Sequence, residues 1–212
     1  MGGWTLRLTR DELAPAAVRS LSRGNRVLYL QEGGAVVTHD GAPLPLAADR
    51  AWHGAGPCSV TGGDRGAILL RWELLSGGDS RSGDALLEHP IDLDPATAWL
   101  IRCDRVDFEP GDVALPHRHR GGGIRCLLTG ALDVTVGDAP PRAVRPGGAW
   151  FESGREPVVA RAAQEPTSFV RCSILPADIR GRSSILYVDP DDASRGKPRR
   201  YTVWVDEPIA LT

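Results

Sequence analysis

The chain has 212 residues, a net charge of −2, 42% apolar residues, 25 glycines and 17 prolines. That length suits one large domain or two of about 100 residues each. The near-neutral balance gives no sign of a polyanion-binding protein, and Gly and Pro without a short period indicate many turns rather than a fibre. From the start of the chain, Thr9 and Glu12 have capping-box spacing, and Leu13, Ala16, Ala17, Val18 and Leu21 form an apolar face ending near Gly24. This predicts a short N-terminal helix. Beyond it, apolar runs are broken by Gly, Pro and Asp: Val27–Gln31, Ala67–Leu75, Trp99–Phe108, Ile124–Leu128, Leu132–Val136, Phe169–Leu175 and Tyr201–Val205. Short strands at this spacing predict an all-β sandwich or barrel.

A repeat of about 100 residues runs beneath these elements. Ala51-Trp52-His53 recurs as Ala149-Trp150-Phe151 at an offset of 98, and Ile68–Arg71 answers Ser168–Arg171 at an offset of 100. Upstream, Arg26–Thr38 is loosely mirrored by Ile124–Thr135. Similar strands can look alike by composition, but three blocks in one order argue for duplication. Two lobes are therefore expected, residues 1–90 and 91–212, joined through the Gly-, Ser- and Asp-rich segment Ser76–Asp94.

Cys58, Cys103, Cys126 and Cys172 are far apart and contain no CxxC pair, so buried reduced thiols are expected. The start of the sequence lacks the apolar core and cleavage site of a signal peptide, and no apolar run reaches the length of a membrane span. A cytoplasmic protein with no membrane partner is expected. Lys197–Arg200 beside Asp189, Asp191 and Asp192 reads as a solvated loop, so no nucleic-acid partner is expected either. The six tryptophans lie mostly in strand-like text and indicate packing, with Trp4 alone loop-like. Gly121-Gly122-Gly123 lacks the following helix and lysine of a phosphate loop and reads as a turn.

The strongest local signal is Gly111-Asp-Val-Ala-Leu-Pro-His117-Arg-His119. Histidines at i and i+2 of a strand project from one face, about 7 Å apart at Cα, and can converge on one cation. Imidazole suits Fe, Mn, Ni, Cu or Zn, so the ligand type leaves the divalent transition metal open.

Here the chain resembles the cupin superfamily. The family's first motif runs Gly, five residues, His-x-His, three or four residues, Glu, six residues, Gly; Gly111, His117, His119 and Gly130 fall on it. The second runs Pro-x-Gly, two residues, His; Pro146, Gly148 and Phe151 fall on it. The resemblance implies a two-lobed all-β protein of double-stranded β-helix (jelly-roll) barrels, with a degenerate first lobe and a metal at His117 and His119. Gly123 stands where the family has Glu, and Phe151 where it has His. Two of the family's four protein ligands are therefore missing.

Glu152 is a candidate replacement, yet alternation from Phe151 places it outside the barrel unless a bulge intervenes. Cys126 faces the same objection. With position 123 inward, Arg125 and Leu127 also point inward. Arg125 then reads either as a carboxylate-binding fork near the metal or as an ordinary edge-strand arginine. Arg118 and Arg120 face away. In the first lobe only His53 matches the second motif, at the place of Phe151, and a lone histidine there is more often structural. His39 in a turn and His89 in the connection are expected at the surface.

Two functions fit these residues. The resemblance implies a metal-dependent, dioxygenase-like oxidoreductase acting on a small, acidic organic substrate in the second barrel, with Arg125 in the site. The alternative is a non-catalytic small-molecule-binding or regulatory protein with a decayed metal site. A metal-independent isomerase or epimerase is a third class, for which no general base stands out beyond the histidines. A monomer or homodimer is compatible with either lead.

Overall fold

A period of two, not 3.6, governs the N-terminal segment. In the computed structural model, which describes residues 3–77, 84–195 and 199–211, Trp4–Leu13 is strand β1 and Val18–Leu21 is strand β2. Leu6 and Leu8 are buried on one face and Thr9, Asp11 and Leu13 on the other, while Arg10 and Glu12 are exposed. The predicted helix is therefore absent. Thr9 and Glu12 share capping-box spacing by coincidence, and their strand ladder ends at a turn through Pro15 and Ala16, the latter at φ 57°. Trp4, expected in a loop, opens the first strand.

The remaining strands of the first half are β3 (Asn25–His39), β4 (Ala42–Ala47), β5 (Arg50–Gly54), β6 (Cys58–Ser76) and β7 (Ala85–Ile91). They form one sheet in the order β4-β3-β6-β1-β7, with β5 paired to β3 and β2 to β6. Part of the expected connection between lobes is thus β7, which pairs with Trp4–Thr9 of β1; residues 78–83 lie outside the described residues. His89 sits in that strand, opposite Leu6, and is half-buried. His39 ends β3 rather than occupying a turn, with its ring 5.6 Å from Trp52.

The second half contributes β8 (Trp99–Phe108), β9 (Val113–His119), β10 (Gly123–Thr129), β11 (Leu132–Val136), β12 (Arg142–Val144) and β13 (Ala149–Glu152). It continues with β14 (Val158–Ala162), β15 (Thr167–Pro176), β16 (Ile185–Tyr187) and β17 (Arg199–Ile209). Two five-stranded sheets result, β13-β10-β15-β8-β17 and β12-β11-β14-β9-β16. Two short 3₁₀ turns, Ala177–Ile179 and Pro190–Ala193, are the helical elements among the described residues. No helix there is long and apolar enough to cross a membrane.

The chain divides into two compact units, Met1–Thr97 with Ile209–Thr212, and Ala98–Pro208. Their strand pairings repeat. The ladder β5-β3-β6-β1 corresponds to β13-β10-β15-β8, and the sequence blocks repeated near offset 100 fall on matching strands. Each unit is an antiparallel jelly roll filled from within. Leu28, Leu30, Val37, Leu46, Val60 and Leu69 fill the first. Leu127, Leu132, Val134, Val144, Trp150 and Phe169 fill one end of the second.

Leu30 is fully buried opposite Leu69 in the first barrel, and truncating such a leucine removes transfer energy and leaves a cavity. Leu30→Ala is expected to lower the unfolding free energy by about 2–5 kcal/mol. Leu44→Ala, at an exposed strand position, should change it by less than about 0.5 kcal/mol in the same denaturant titration.

Candidate functional site

The polar end of the second barrel is set by an irregularity in β9. Val158 of β14 pairs with His117 while Ala160 pairs with Ala114, so two steps on one strand face three on the other. The bulge takes in Leu115 and Pro116, where a proline costs no ladder hydrogen bond. It resets the alternation so that Ala114, His117 and His119 are all buried while Arg118 is exposed. The two imidazoles meet edge to face, with centroids 4.8 Å apart. His117 Nδ1 lies 2.7 Å from the Leu115 carbonyl oxygen. A donated N–H there leaves its Nε2 as the free lone pair. His119 Nδ1 lies 3.4 Å from Ser184 Oγ, and its Nε2 lies 3.2 Å from Glu152 Oε2.

Glu152 is therefore inside, contrary to the alternation argument. No bulge is responsible, since β10 and β13 pair without a register shift. The error lies in the motif frame. On β13 the inner face carries Trp150 and Glu152, because the indole packs into the apolar end against Phe169, 5.3 Å away, and Phe151 takes the other face. Trp150 Nε1 donates to Glu152 Oε1 at 2.8 Å. Glu152 and Gly123 are direct cross-strand partners, so the carboxylate sits on the strand beside the family's expected position. No side chain fits at 123 itself: a Cβ there would stand 2.5 Å from the Cys172 carbonyl oxygen and 2.9 Å from Ser173 Cα.

Arg125 is also inside, 1% exposed, with Leu127 in the apolar cluster behind it. Its NH1 donates to the Gly123 carbonyl at 2.6 Å, and its NH2 stands 2.6 Å from Glu152 Oε2. The two side chains form a buried ion pair. Cys126 lies on the opposite face, and all four cysteines are buried, reduced thiols.

Burial dominates the titration of this cluster. It lowers the His119 pKa to about 3, against the pull of Glu152, with Arg125 and Arg171 reinforcing the fall. Burial likewise lowers His117, partly offset by its bond to Leu115. Arg125 is lowered to about 10 by burial, with Glu152 opposing. For Glu152 burial would raise the pKa, but the Arg125 charge, the adjacent His119 imidazole and the bond from Trp150 hold it well below the usual carboxylate range. The resting cluster is two neutral imidazoles, one carboxylate and one guanidinium.

A second buried pair stands beside it. Arg171 grips Asp104 through two bonds of 2.6 and 2.9 Å, and the two are direct partners across β15 and β8. Burial opposes the charge on Arg171, yet Asp104 raises its pKa overall. Arg199, read as part of a solvated loop, opens β17 instead: it is buried, donates to the Val113 carbonyl at 2.9 Å and lies over the Phe108 ring. The signal for Arg171 was a lone charge inside the apolar run Phe169–Leu175, whereas Asp104 is one of four charges in Trp99–Phe108 and has no such mark.

Two spaces adjoin these groups. Between His117, His119, Arg125, Glu152 and Arg171 the barrel leaves about 20 Å³, room for one water-sized sphere. A larger pocket of about 440 Å³ is lined by Arg102, Asp104, Arg171, Arg182, Ser184 and Tyr201, together with apolar Ile185 and Val203. Arg171 and Tyr201 line both spaces, and Ser184 joins the pocket wall to His119.

No family model and no curated protein matches the sequence. Solved structures do match. Oxalate decarboxylase from Lactobacillus farciminis in its formate complex aligns with TM-score 0.65 at 15% identity, over 92% of this chain and 86% of that one. Salicylate 1,2-dioxygenase from Pseudaminobacter salicylatoxidans aligns with TM-score 0.59 at 12% identity, over 94% and 75%. A cupin 2 conserved barrel domain protein from Leptotrichia buccalis aligns with TM-score 0.52 at 14% identity, over 80% and 84%. The chain has the cupin fold.

Within that fold the first lobe lacks the chemistry. Its β2, paired to β6 as β9 is to β14, reads Val18–Leu21 and holds no histidine. Leu28 and Gly54 take the places of Arg125 and Glu152, and His53 takes that of Phe151. The second lobe falls short of a cupin metal cage. Among the described residues no three His, Cys, Asp or Glu side chains are placed to hold a metal ion together. Its one carboxylate oxygen near the histidines is taken up with Arg125.

The lowered histidines fix a pH dependence. Folded, His119 takes a proton only near pH 3; unfolded, it does so near its ordinary 6.5. Between these values the unfolded chain binds more protons, so stability falls as pH falls, by about 1.4 kcal/mol per pH unit for one proton. Glu152 acts in the same direction below its ordinary 4.5. Unfolding free energy should drop from pH 7.5 to pH 5.0, and His119→Gln should flatten that slope. Equal slopes in the two proteins would contradict this assignment.

Proposed function

We propose that the second lobe binds a small organic anion in its 440 Å³ pocket, the non-catalytic of the two functions that the sequence suggests. The pocket's size is that of a small-molecule site, with apolar walls and a few convergent polar groups. The observation that carries the reading is its charge. Three arginines line it against two aspartates. Arg102 is held by Asp206 at 2.8 and 3.0 Å and Arg171 by Asp104, while Arg182 is exposed and, among the described residues, its guanidinium donates to the Asp178 carbonyl and meets no carboxylate. One guanidinium is thus left to meet a carboxylate, with Ser183 and Tyr201 at hand as hydroxyl partners.

The second reading is a metal-dependent, dioxygenase-like oxidoreductase at His117 and His119. One observation favours it: Glu152 Oε2 accepts no aligned hydrogen bond although it lies 3.2 Å from His119 Nε2. It requires Arg125 to give up that oxygen.

Calorimetric titration with salicylate, gentisate and oxalate tests the first reading. At least one should bind, its neutral amide should not, and Arg182→Gln should weaken binding tenfold or more, equivalent to about 1.4 kcal/mol. If none of the three binds, or if Arg182→Gln leaves the affinity unchanged, the pocket is not the anion site. Oxygen uptake by iron(II)-supplemented protein with salicylate or gentisate would favour the second reading.

A further inference from the structure

We propose that Arg125 is a resident cation standing in the place of a metal ion, and that it closes a latent two-histidine, one-carboxylate site formed by His117, His119 and Glu152. This inference does not depend on what the larger pocket binds.

The donors are already on one side of the barrel. His117 is anchored through Nδ1 to Leu115, which turns its Nε2 free, and its ring lies 4.8 Å from that of His119. His119 Nε2 and Glu152 Oε2 are 3.2 Å apart, close to the roughly 3.0 Å between neighbouring ligands around an octahedral ion with bonds of about 2.1 Å. Two imidazoles, one carboxylate and open positions form a donor set that suits a divalent transition metal. The carboxylate has moved across the sheet: the family position at Gly123 admits no side chain, and its cross-strand partner Glu152 supplies the group.

What keeps metal out is charge. A buried carboxylate needs a cation, and Arg125 provides one at 2.6 Å on the same oxygen that faces His119. The pair is neutral, so a divalent ion would add two uncompensated charges beside Arg171, which already has Asp104 as its own partner. The guanidinium also occupies the room, since only about 20 Å³ remains. In the first barrel both members are absent together, Leu28 standing at the place of Arg125 and Gly54 at that of Glu152.

The test is a gain of metal binding. The full-length protein and Arg125→Met are titrated with Co²⁺, read by calorimetry and by the visible d–d spectrum, with folding followed by circular dichroism. The unaltered protein is expected to take up less than a tenth of an equivalent. Arg125→Met should bind one equivalent at least 100-fold more tightly, and its melting temperature should rise with Co²⁺. Adding Glu152→Gln to Arg125→Met should abolish that uptake, and Arg125→Lys, which keeps the charge, should stay closed. Stoichiometric Co²⁺ on the unaltered protein overturns the proposal, as does a folded Arg125→Met that binds no more than its parent. Arg125→Leu, which copies Leu28 of the first barrel, serves as a second opening variant; if both variants stay unfolded with and without Co²⁺, the metal cannot replace the guanidinium and the proposal fails.

Discussion

A carboxylate buried in a protein interior must be matched by a cation or give up its charge. In the second barrel that constraint falls on Glu152, and the Arg125 guanidinium meets it at 2.6 Å. Much else at the polar end follows. Trp150 turns its indole N–H to the other carboxylate oxygen and so fixes which face of β13 looks inward. Gly123 has no room for a side chain across from it. His119, between two guanidinium groups and deprived of water, stays neutral down to about pH 3. The same arrangement recurs one step away in Arg171 and Asp104, so the barrel contains two neutral pairs rather than one cluster of net charge.

These pairs divide the interior into two parts with different uses. The apolar end, from Leu127 and Trp150 to Phe169, is packed and holds the two sheets together. The polar end is nearly full as well, and the larger open space lies beyond Arg171 and Tyr201. A ligand in that space would touch the histidines only indirectly, through Ser184. The ion pairs thereby separate a place for binding from a place whose donor set suits chemistry, and this separation underlies the binding reading.

The jelly-roll architecture was legible because its signals are local. Apolar runs punctuated by Gly, Pro and Asp, the histidine pair on one strand face, and the three repeated blocks each need only a few neighbouring residues. The N-terminal helix was misread because Thr9 and Glu12 sit at capping spacing in a strand whose alternation, Leu6, Leu8, then Asp11, Leu13, serves two buried faces at once. The site was partly hidden for a different reason. Whether Glu152 points in depends on Trp150 winning the barrel interior, a contest decided by packing against Phe169 on another strand. The partnership of Arg171 with Asp104 spans 67 residues, and the role of Arg199 depends on β17 returning beside β8. Those are register facts, which exist only once the sheets have formed.

Arg125 and Glu152 depend on each other for their burial, and a double-mutant cycle on stability measures that dependence directly. Arg125→Met and Glu152→Gln are made singly and together, and unfolding free energies are compared at pH 7.5. Each single change should cost about 3–5 kcal/mol by stranding its partner. The double variant should then cost no more than one single change alone, a coupling of at least about 3 kcal/mol. Additive single-site effects, with no recovery in the double variant, would contradict it.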